Sequence, residues 1–366
     1  MSLRLVITGG GTGGHLFPGI AVADEVLAGF PGSEVLFIGT GREIDRRALA
    51  DKPYHQAALT GSGLKGISWR GRLASLARLP VGLWQAWRLL RGFKPDLVLG
   101  VGGYVTGPVL LAAKLMGVTT GIHEQNSVPG LANRLLGRFV DLVFLSLPGS
   151  EIGFPAAKTR LVGNPLRPEL LAAAQRVAAE SDREVGRELN LLILGGSQGA
   201  HRVNQLILEA LAGLAGEGMA LRVVHQTGSR DLAMVMERYR QMGIKARAEA
   251  FIADMAPVYA GADLVVSRAG ATTLAELALF GKPAVLIPYP YAADDHQRLN
   301  AEIMARHGAA VVLAEAELTG PILAVGLRGL LADRERRQKM AVRARELANP
   351  DAAHEIIRES RALAGV

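Results

Sequence analysis

The amino-acid sequence predicts an α/β protein made of two parallel-sheet domains, and three observations carry that prediction. Short apolar runs at residues 6–7, 35–38, 97–99 and 142–145, and again at 191–194, 221–224, 264–266 and 284–287, alternate with stretches of helical period. Uninterrupted runs of this kind belong to strands buried on both faces. The phrase GGGTGGHLF at residues 9–17 returns as GGSQGAHRV at residues 195–203. At 366 residues the chain exceeds one ordinary domain of roughly 100–200 residues, so each copy can open a domain of its own.

The two openings align position by position. Leu3, Leu5 and Ile7 match Leu189, Leu191 and Ile193 as alternating strand positions, Gly9-Gly10 matches Gly195-Gly196, Gly13 matches Gly199, and His15 matches His201. Each copy therefore reads as strand, glycine turn and helix. Such turns let a phosphate or sugar reach bare N–H groups at a helix N-terminus. Ligands of open parallel sheets sit beyond the C-terminal strand edges, so two such edges facing one another would form a cleft. The stretch VGNPLRP at residues 162–168 interrupts regular structure with two prolines. It divides the chain into residues 1–163, residues 164–349 and a C-terminal helix over residues 350–366 that can pack back on the first domain.

Composition narrows the function. The chain has no cysteine, which excludes disulfides, thiolate metal sites and a cysteine nucleophile, and fits a reducing compartment. The opening MSLRLVITGG holds too short an apolar run for a secretory signal, which points to the cytoplasm. Residues 97–113 carry no charge, but their glycines and Pro108 read as strand, turn and helix start, not as a membrane span. The formal charge is +7, and residues 64–94 supply all of it: Lys65, Arg70, Arg72, Arg78, Arg88, Arg91 and Lys94, with no acid among them. All three tryptophans, Trp69, Trp84 and Trp87, lie in the same segment. Leu83, Trp84, Trp87 and Leu90 form a helical stripe that suits either a core or an anionic bilayer surface, and the local charge favours peripheral membrane attachment. No nucleic-acid motif accompanies it.

Gly9, Gly11 and Gly14 satisfy G-x-G-x-x-G, yet the second strand ends in Gly39-Thr40 without the acid that a dinucleotide fingerprint wants, Glu43 falling in the next helix. No P-loop exists. His15 starts the first helix, where it can take a hydroxyl proton near neutral pH or simply bond a neighbouring carbonyl. His201, followed by Arg202, reads as a surface residue. Gly102 to Pro108 form a third glycine turn, through Tyr104, and the polar run His123-Glu124-Gln125-Asn126 ends an apolar strand. Asn126 or Ser127 could cap a helix, but four polar residues there read better as a site. In the second half, Ser267 to Glu276 make a strand end, a small-residue turn and a helix start. There Glu276 can take both hydroxyls of a ribose while the helix N-terminus faces a diphosphate. Asp294 and Asp295 read as helix caps ahead of His296-Gln297. No acid or histidine cluster has metal-ligand spacing, so leaving-group charge falls to helix ends, Ser197 and Arg167.

Together GGGTGGHLFPG, GGYVTGP, HEQN, VGNPLR, GGSQGA and SRAGATTLAE, in this order from residue 9 to about residue 300, resemble the signatures of the MurG family of peptidoglycan glycosyltransferases. The resemblance implies a GT-B fold of two Rossmann-like domains facing across a cleft, with a lipid acceptor on the first and UDP-N-acetylglucosamine mainly on the second. It implies inverting transfer of N-acetylglucosamine to the muramoyl 4-hydroxyl of undecaprenyl-pyrophosphoryl-N-acetylmuramoyl-pentapeptide (lipid I), giving lipid II for the cell wall.

Carried over by position, Thr12, Gly13, Gly14 and Asn126 would contact the donor, Arg167 and Ser197 its diphosphate, and the Ile252 backbone its uracil. Ala271, Thr272, Thr273, Leu274, Ala275 and Glu276 would line the nucleotide, and Gln297 would read the sugar. His296 departs from the adjacent glutamines of some relatives. His15 is the expected base and Glu124 its reserve. Tyr104, Lys65, Trp69, Arg70, Arg72, Trp84 and Arg88 would serve the acceptor and the membrane. The expected partners are UDP-N-acetylglucosamine, lipid I, the anionic cytoplasmic face of the inner membrane and other cell-wall synthesis proteins. Neither nucleic acid, metal nor a separate cofactor is expected. Two alternatives stay open: another GT-B enzyme, such as a diacylglycerol glycosyltransferase or a UDP-N-acetylglucosamine epimerase, and a non-catalytic nucleotide-sugar sensor.

Overall fold

The computed structural model describes residues 2–59, 79–179, 188–196, 199–216, 219 and 221–366. It separates into two compact units: Met1–Pro168 with Asn349–Val366, and Glu169–Ala348. The chain thus crosses over after Pro168 and returns after Ala348, a few residues from the expected boundaries.

The first unit holds a seven-stranded sheet in the order β3-β2-β1-β4-β5-β6-β7. Its strands are β1 (Arg4–Gly9), β2 (Glu34–Gly39), β3 (His55–Ala58), β4 (Leu97–Gly102), β5 (Thr119–Glu124), β6 (Leu142–Leu145) and β7 (Thr159–Leu161), all paired in parallel. The order reverses between β1 and β4, which is where an open α/β sheet leaves a crevice at its C-terminal edge. The repeated glycine phrase follows β1 directly. The helix Gly13–Gly29 lays Leu16, Ile20, Ala23 and Val26 on the sheet, one every three or four residues, beside fully buried Leu5, Ile7 and Phe37.

The second unit repeats the plan in six strands, ordered β10-β9-β8-β11-β12-β13. These are β8 (Leu189–Leu194), β9 (Leu221–Gln226), β10 (Lys245–Glu249), β11 (Leu264–Ser267), β12 (Ala284–Leu286) and β13 (Ala310–Val312), again all parallel. Its reversal lies between β8 and β11, and the second glycine phrase follows β8.

The last helix, Ala352–Ala364, belongs to the first unit. Its buried residues, Ala352, Ala353, Ile356, Ile357 and Ser360, recur at one-helical-face spacing, and Ala353, Ile356 and Ile357 join the core beside Leu97, Leu142, Phe144 and Val162. Asn349 Nδ2 donates to Val162 O at 2.8 Å, Arg361 lies 4.3 Å from the Phe30 ring centre, and Arg160 pairs with Glu359 at 3.4 Å. This return makes the first unit depend on both chain ends. Ile356→Ala should cost about 2–5 kcal/mol, as large-to-small changes in closed cores do. Urea unfolding followed by circular dichroism reads that loss, and an unchanged midpoint would mean that the helix is not part of the core.

Candidate functional site

In the first unit Gly9, Gly10 and Gly11 all have positive φ (154°, 130° and 85°), so the chain leaves β1 in a path open to glycine. The turn is held from outside by Asp45 on the helix Glu43–Leu49. Its buried carboxylate accepts Gly11 N at 2.8 Å, Thr40 N at 3.0 Å and Thr40 Oγ1 at 2.5 Å. An internal anion thus occupies a place where a dinucleotide fingerprint would receive phosphate. Asp45 carries no motif in the sequence, since its partner Gly11 is 34 residues away.

His15 is half-buried, and its Nδ1 lies 2.9 Å from Gln125 Oε1. Gly102 makes room for the ring: a Cβ there would stand 2.8 Å from His15 Nδ1. Thr12 and Gly14 are exposed at the helix start, Gly13 is half-buried, and Thr12 makes no side-chain cap. Tyr104, half-buried, packs at the edge of the apolar layer under β4.

The run at the end of β5 is buried and internally satisfied. Glu124 Oε1 accepts Asn126 N at 3.0 Å and Asn126 Nδ2 at 3.4 Å, and Oε2 accepts Gly130 N at 3.1 Å and Asn133 Nδ2 at 2.8 Å. With 2% exposure and both oxygens engaged, Glu124 is a staple for the loop over residues 125–130. This corrects its expected place as reserve base. Asn126, half-buried, is held by that staple. His123 Nε2 lies 3.2 Å from Gly163 O and 2.9 Å from Ser146 Oγ, and burial pushes its pKa down from 6.5 to about 4, with a smaller push from His15. Arg167 lies with its guanidinium carbon 5.0 Å from the Phe17 ring centre.

In the second unit, Gly199 (φ 78°) is pressed on the chain after β9, since a Cβ would meet Thr227 O at 2.3 Å. Gln226 ties this turn to the next loop: Nε2 donates to Gly196 O and Oε1 accepts Ile252 N, each at 3.0 Å. The Ile252 N–H is thereby committed to the protein and its side chain is core, so an expected uracil contact is confined to its carbonyl. His201 Nδ1 pairs with Asp231 at 2.9 Å, and Asp231 also accepts Asn204 Nδ2 at 2.8 Å.

The helix Ala271–Leu279 presents Thr272, Thr273, Ala275 and Glu276 half-buried, whereas Ala271 and Leu274 are buried, Leu274 turning into the core under β11 and β12. The expectation that Leu274 lines the nucleotide is therefore corrected for its side chain. Glu276 Oε2 accepts the Tyr259 hydroxyl at 2.7 Å, and the Tyr259 ring stacks on Phe280 with centres 5.3 Å apart. Gln297 Oε1 accepts Tyr289 N at 3.0 Å and Ala269 N at 3.3 Å, which leaves Nε2 as the end that can donate to a ligand. Before it, Asp294 and Asp295 sit at φ 53° and 54°, a strained region for non-glycine residues, and Asp295 pairs with Arg298. The expected capping by Asp295 is absent, since its side chain makes no cap bond. His296 Nδ1 instead bonds Ala293 O at 2.7 Å. Tyr259, Gln226 and Glu315, which pairs with Arg268 at 2.5 Å, carried no motif in the sequence.

Ser197, Lys65, Trp69, Arg70 and Arg72 lie outside the described residues. On the helix Leu79–Phe93, Trp84 and Trp87 are 61% and 37% exposed beside exposed Arg88, while Leu90 is fully buried and Leu83 half-buried. The predicted stripe thus splits between core and surface. Among the described residues no helix is long and apolar enough to cross a membrane.

Two parallel sheets, each with a glycine turn at its reversal point, place the chain in the GT-B class of folds. Models of glycosyltransferase family 28 match the chain over residues 5–145 (N-terminal domain) and 190–356 (C-terminal domain). The UDP-N-acetylglucosamine–N-acetylmuramyl-(pentapeptide) pyrophosphoryl-undecaprenol N-acetylglucosamine transferase of Geobacter sp. (strain M21) is 49% identical over 355 residues, covering 97% of this chain and 95% of the relative. The transferase of the same name from Desulfotalea psychrophila is 49% identical over 361 residues, 98% of this chain and 96% of its own. The crystal structure of Acinetobacter baumannii MurG superposes with a TM-score of 0.81 at 32% identity, covering 98% of this chain and 99% of the other. The UDP-GlcNAc 2-epimerase of Neisseria meningitidis, at 16% identity and a TM-score of 0.68 over 98% and 99% of the two chains, shares the fold. The chain belongs to glycosyltransferase family 28 and, within it, to the MurG transferases.

The buried His123 makes stability depend on pH. With a folded pKa of about 4 and an ordinary 6.5, the unfolded chain binds the extra proton between these values, so stability is complete above 6.5 and falls as pH drops toward 4. From pH 7 to pH 5 this one group should take away about 2 kcal/mol. In urea titrations at both pH values, His123→Gln should lose less on acidification than the parent by that amount; equal losses would refute the assignment.

Proposed function

We infer that this chain transfers N-acetylglucosamine from UDP-N-acetylglucosamine to the 4-hydroxyl of the muramoyl sugar of lipid I, producing lipid II and UDP. The observation that carries it is near-half identity with transferases of that name along almost the whole chain. The likeness to epimerases is one of fold alone, and nothing in the site favours that reading.

The reaction is a single displacement. The acceptor oxygen bonds the anomeric carbon from the face opposite UDP, the bond from that carbon to the β-phosphate oxygen breaks, and UDP leaves with the electron pair. His15 takes the hydroxyl proton. Glu276, held by Tyr259, accepts the ribose hydroxyls, and the start of its helix faces the diphosphate, where N–H groups and a positive dipole end suit negative charge. Arg167 and Ser197 add to that charge stabilisation, Thr12, Gly13, Gly14, Asn126 and Gln297 read the sugar, and the Ile252 carbonyl receives the uracil imide. Water-excluded, preorganised donors of this kind are the largest source of rate in such reactions.

The protein attaches peripherally to the cytoplasmic face of an anionic membrane. Support comes from the helix Leu79–Phe93, where exposed Val81, Trp84 and Trp87 stand with Arg88 and Arg91, and from its neighbour Thr106–Leu115, which exposes Leu111 and Leu115. Trp84→Glu should weaken co-sedimentation with anionic vesicles and leave turnover of a detergent-solubilised acceptor unchanged. Equal binding by parent and variant would count against this surface.

Purified protein given UDP-N-acetylglucosamine and lipid I should form lipid II and UDP in equal amounts, and with the nucleotide sugar alone it should form no epimer. Absence of lipid II would refute the function. Glu276→Ala, which removes charge-assisted hydrogen bonds worth about 1.5–3 kcal/mol, should raise KM for the donor by roughly ten- to a hundredfold. Tyr259→Phe should raise it by a few-fold only.

A further inference from the structure

We propose that Gln125 is a positioning residue that fixes the His15 imidazole in its Nδ1–H form, so that Nε2 carries the lone pair. The proposal rests on the reading of His15 as the base and assigns what prepares it. One buried amide sets the direction of every bond around it. Gln125 is 2% exposed, and its Nε2 lies 3.0 Å from Val101 O and 3.2 Å from His123 O. Both are carbonyl oxygens and can only accept, so the NH2 end of the amide must face them. Oε1 is then the atom 2.9 Å from His15 Nδ1, and an amide oxygen also only accepts. Nδ1 must supply the hydrogen. A neutral imidazole has one N–H, so the other nitrogen is left basic.

The surrounding bonds agree in direction. Gln125 Nε2, which only donates, also lies 3.1 Å from His123 Nδ1, so a hydrogen on Nδ1 would be set against the NH2 group and the His123 hydrogen belongs on Nε2, where Gly163 O is 3.2 Å away and Ser146 Oγ 2.9 Å away. The Ser146 hydroxyl passes its own hydrogen to Asn164 Oδ1 at 3.2 Å. Every donor in this chain meets an acceptor only if His123 is neutral, which its burial favours. Reversing the His15 tautomer would set a lone pair against the Gln125 oxygen, and flipping the Gln125 amide would set its oxygen against two carbonyls. Gly102 leaves the ring its space, since a Cβ there would meet Nδ1 at 2.8 Å and Cε1 at 3.0 Å.

The test uses full-length protein labelled with 15N-histidine, with the His15 ring signals assigned by their loss in His15→Gln. Long-range 1H–15N spectra of the parent at neutral pH should show His15 with a protonated Nδ1 and an unprotonated Nε2. Gln125→Met, of similar length but without hydrogen-bonding atoms, should move His15 toward the Nε2–H form. It should also lower kcat by roughly tenfold or more, a part of the ~10²–10⁴ that general base catalysis supplies, with KM for the donor changed less than about twofold. A parent His15 protonated on Nε2 would overturn the proposal, and so would Gln125→Met with parental tautomer and kcat. The parent spectrum decides even if that variant folds poorly. Full kcat in His15→Gln would remove the base reading alone, since the tautomer is read without turnover.

Discussion

Gly10 N donates to Gly102 O at 3.3 Å, and a Cβ on Gly9 would stand 2.6 Å from that same oxygen. This approach of one bare strand end to another is the constraint on which the first unit's site depends. Because β1 and β4 are parallel neighbours, their C-terminal ends arrive at the same edge, and the sheet reverses its winding between them. Without side chains on either glycine the two ends close to hydrogen-bonding distance. The helix that follows β1 then starts low enough for His15 to lie against the end of β4 and beside the end of β5. Glycine is required here for space as much as for φ, which is why three glycines in sequence open the turn.

Around that contact the polar residues mostly face inward. Glu124, Asp45, Gln226 and Gln297 each spend oxygen atoms on backbone N–H groups of a loop, so the loops are held from behind by side chains a motif search would assign to ligands. Satisfied buried networks of this kind rigidify what they touch, and a half-satisfied one would be costly. Among the described side chains at these strand ends, His15 bonds Gln125 through one ring nitrogen, Glu276 is oriented by Tyr259, and Gln297 engages its amide oxygen. The strained pair Asp294 and Asp295 stands just before the anchored Gln297.

How much of this was legible in the sequence follows from what a linear pattern encodes. The fold was legible because buried parallel strands leave uninterrupted apolar runs, and the two glycine turns because no other residue tolerates their paths. Glu276 was legible because a strand end, a small-residue turn and a helix follow one another directly, and it stands in the second turn of that helix. The role of Glu124 was not, since nothing in HEQN tells which way a carboxylate points at a strand end, and its partners Gly130 and Asn133 become neighbours only once the loop closes. The stripe Leu83, Trp84, Trp87 and Leu90 suited either a core or a surface, and it divides between them for a geometric reason. Successive helical residues turn by about 100°, so Leu83 and Leu90 lie nearly in line while Trp84 stands about 100° aside, on the flank that the sheet does not cover. Tyr259 and Gln226 reach the site from other strands and helices and leave no local trace.

The near-identical turns of the two units end by doing different things, and the difference lies in what fills them. In the first, Asp45 places a full negative charge on the N–H groups around Gly11 and Thr40. A second anion arriving there would meet that charge in a poorly solvated place, where it is weakly screened. In the second, the neutral amide of Gln226 bonds Gly196 O, and the Asp231 carboxylate is taken up by His201 and Asn204. Amide N–H groups backed by a neutral partner keep their attraction for phosphate. The two turns thus differ in charge, a carboxylate standing behind the first and a neutral amide beside the second.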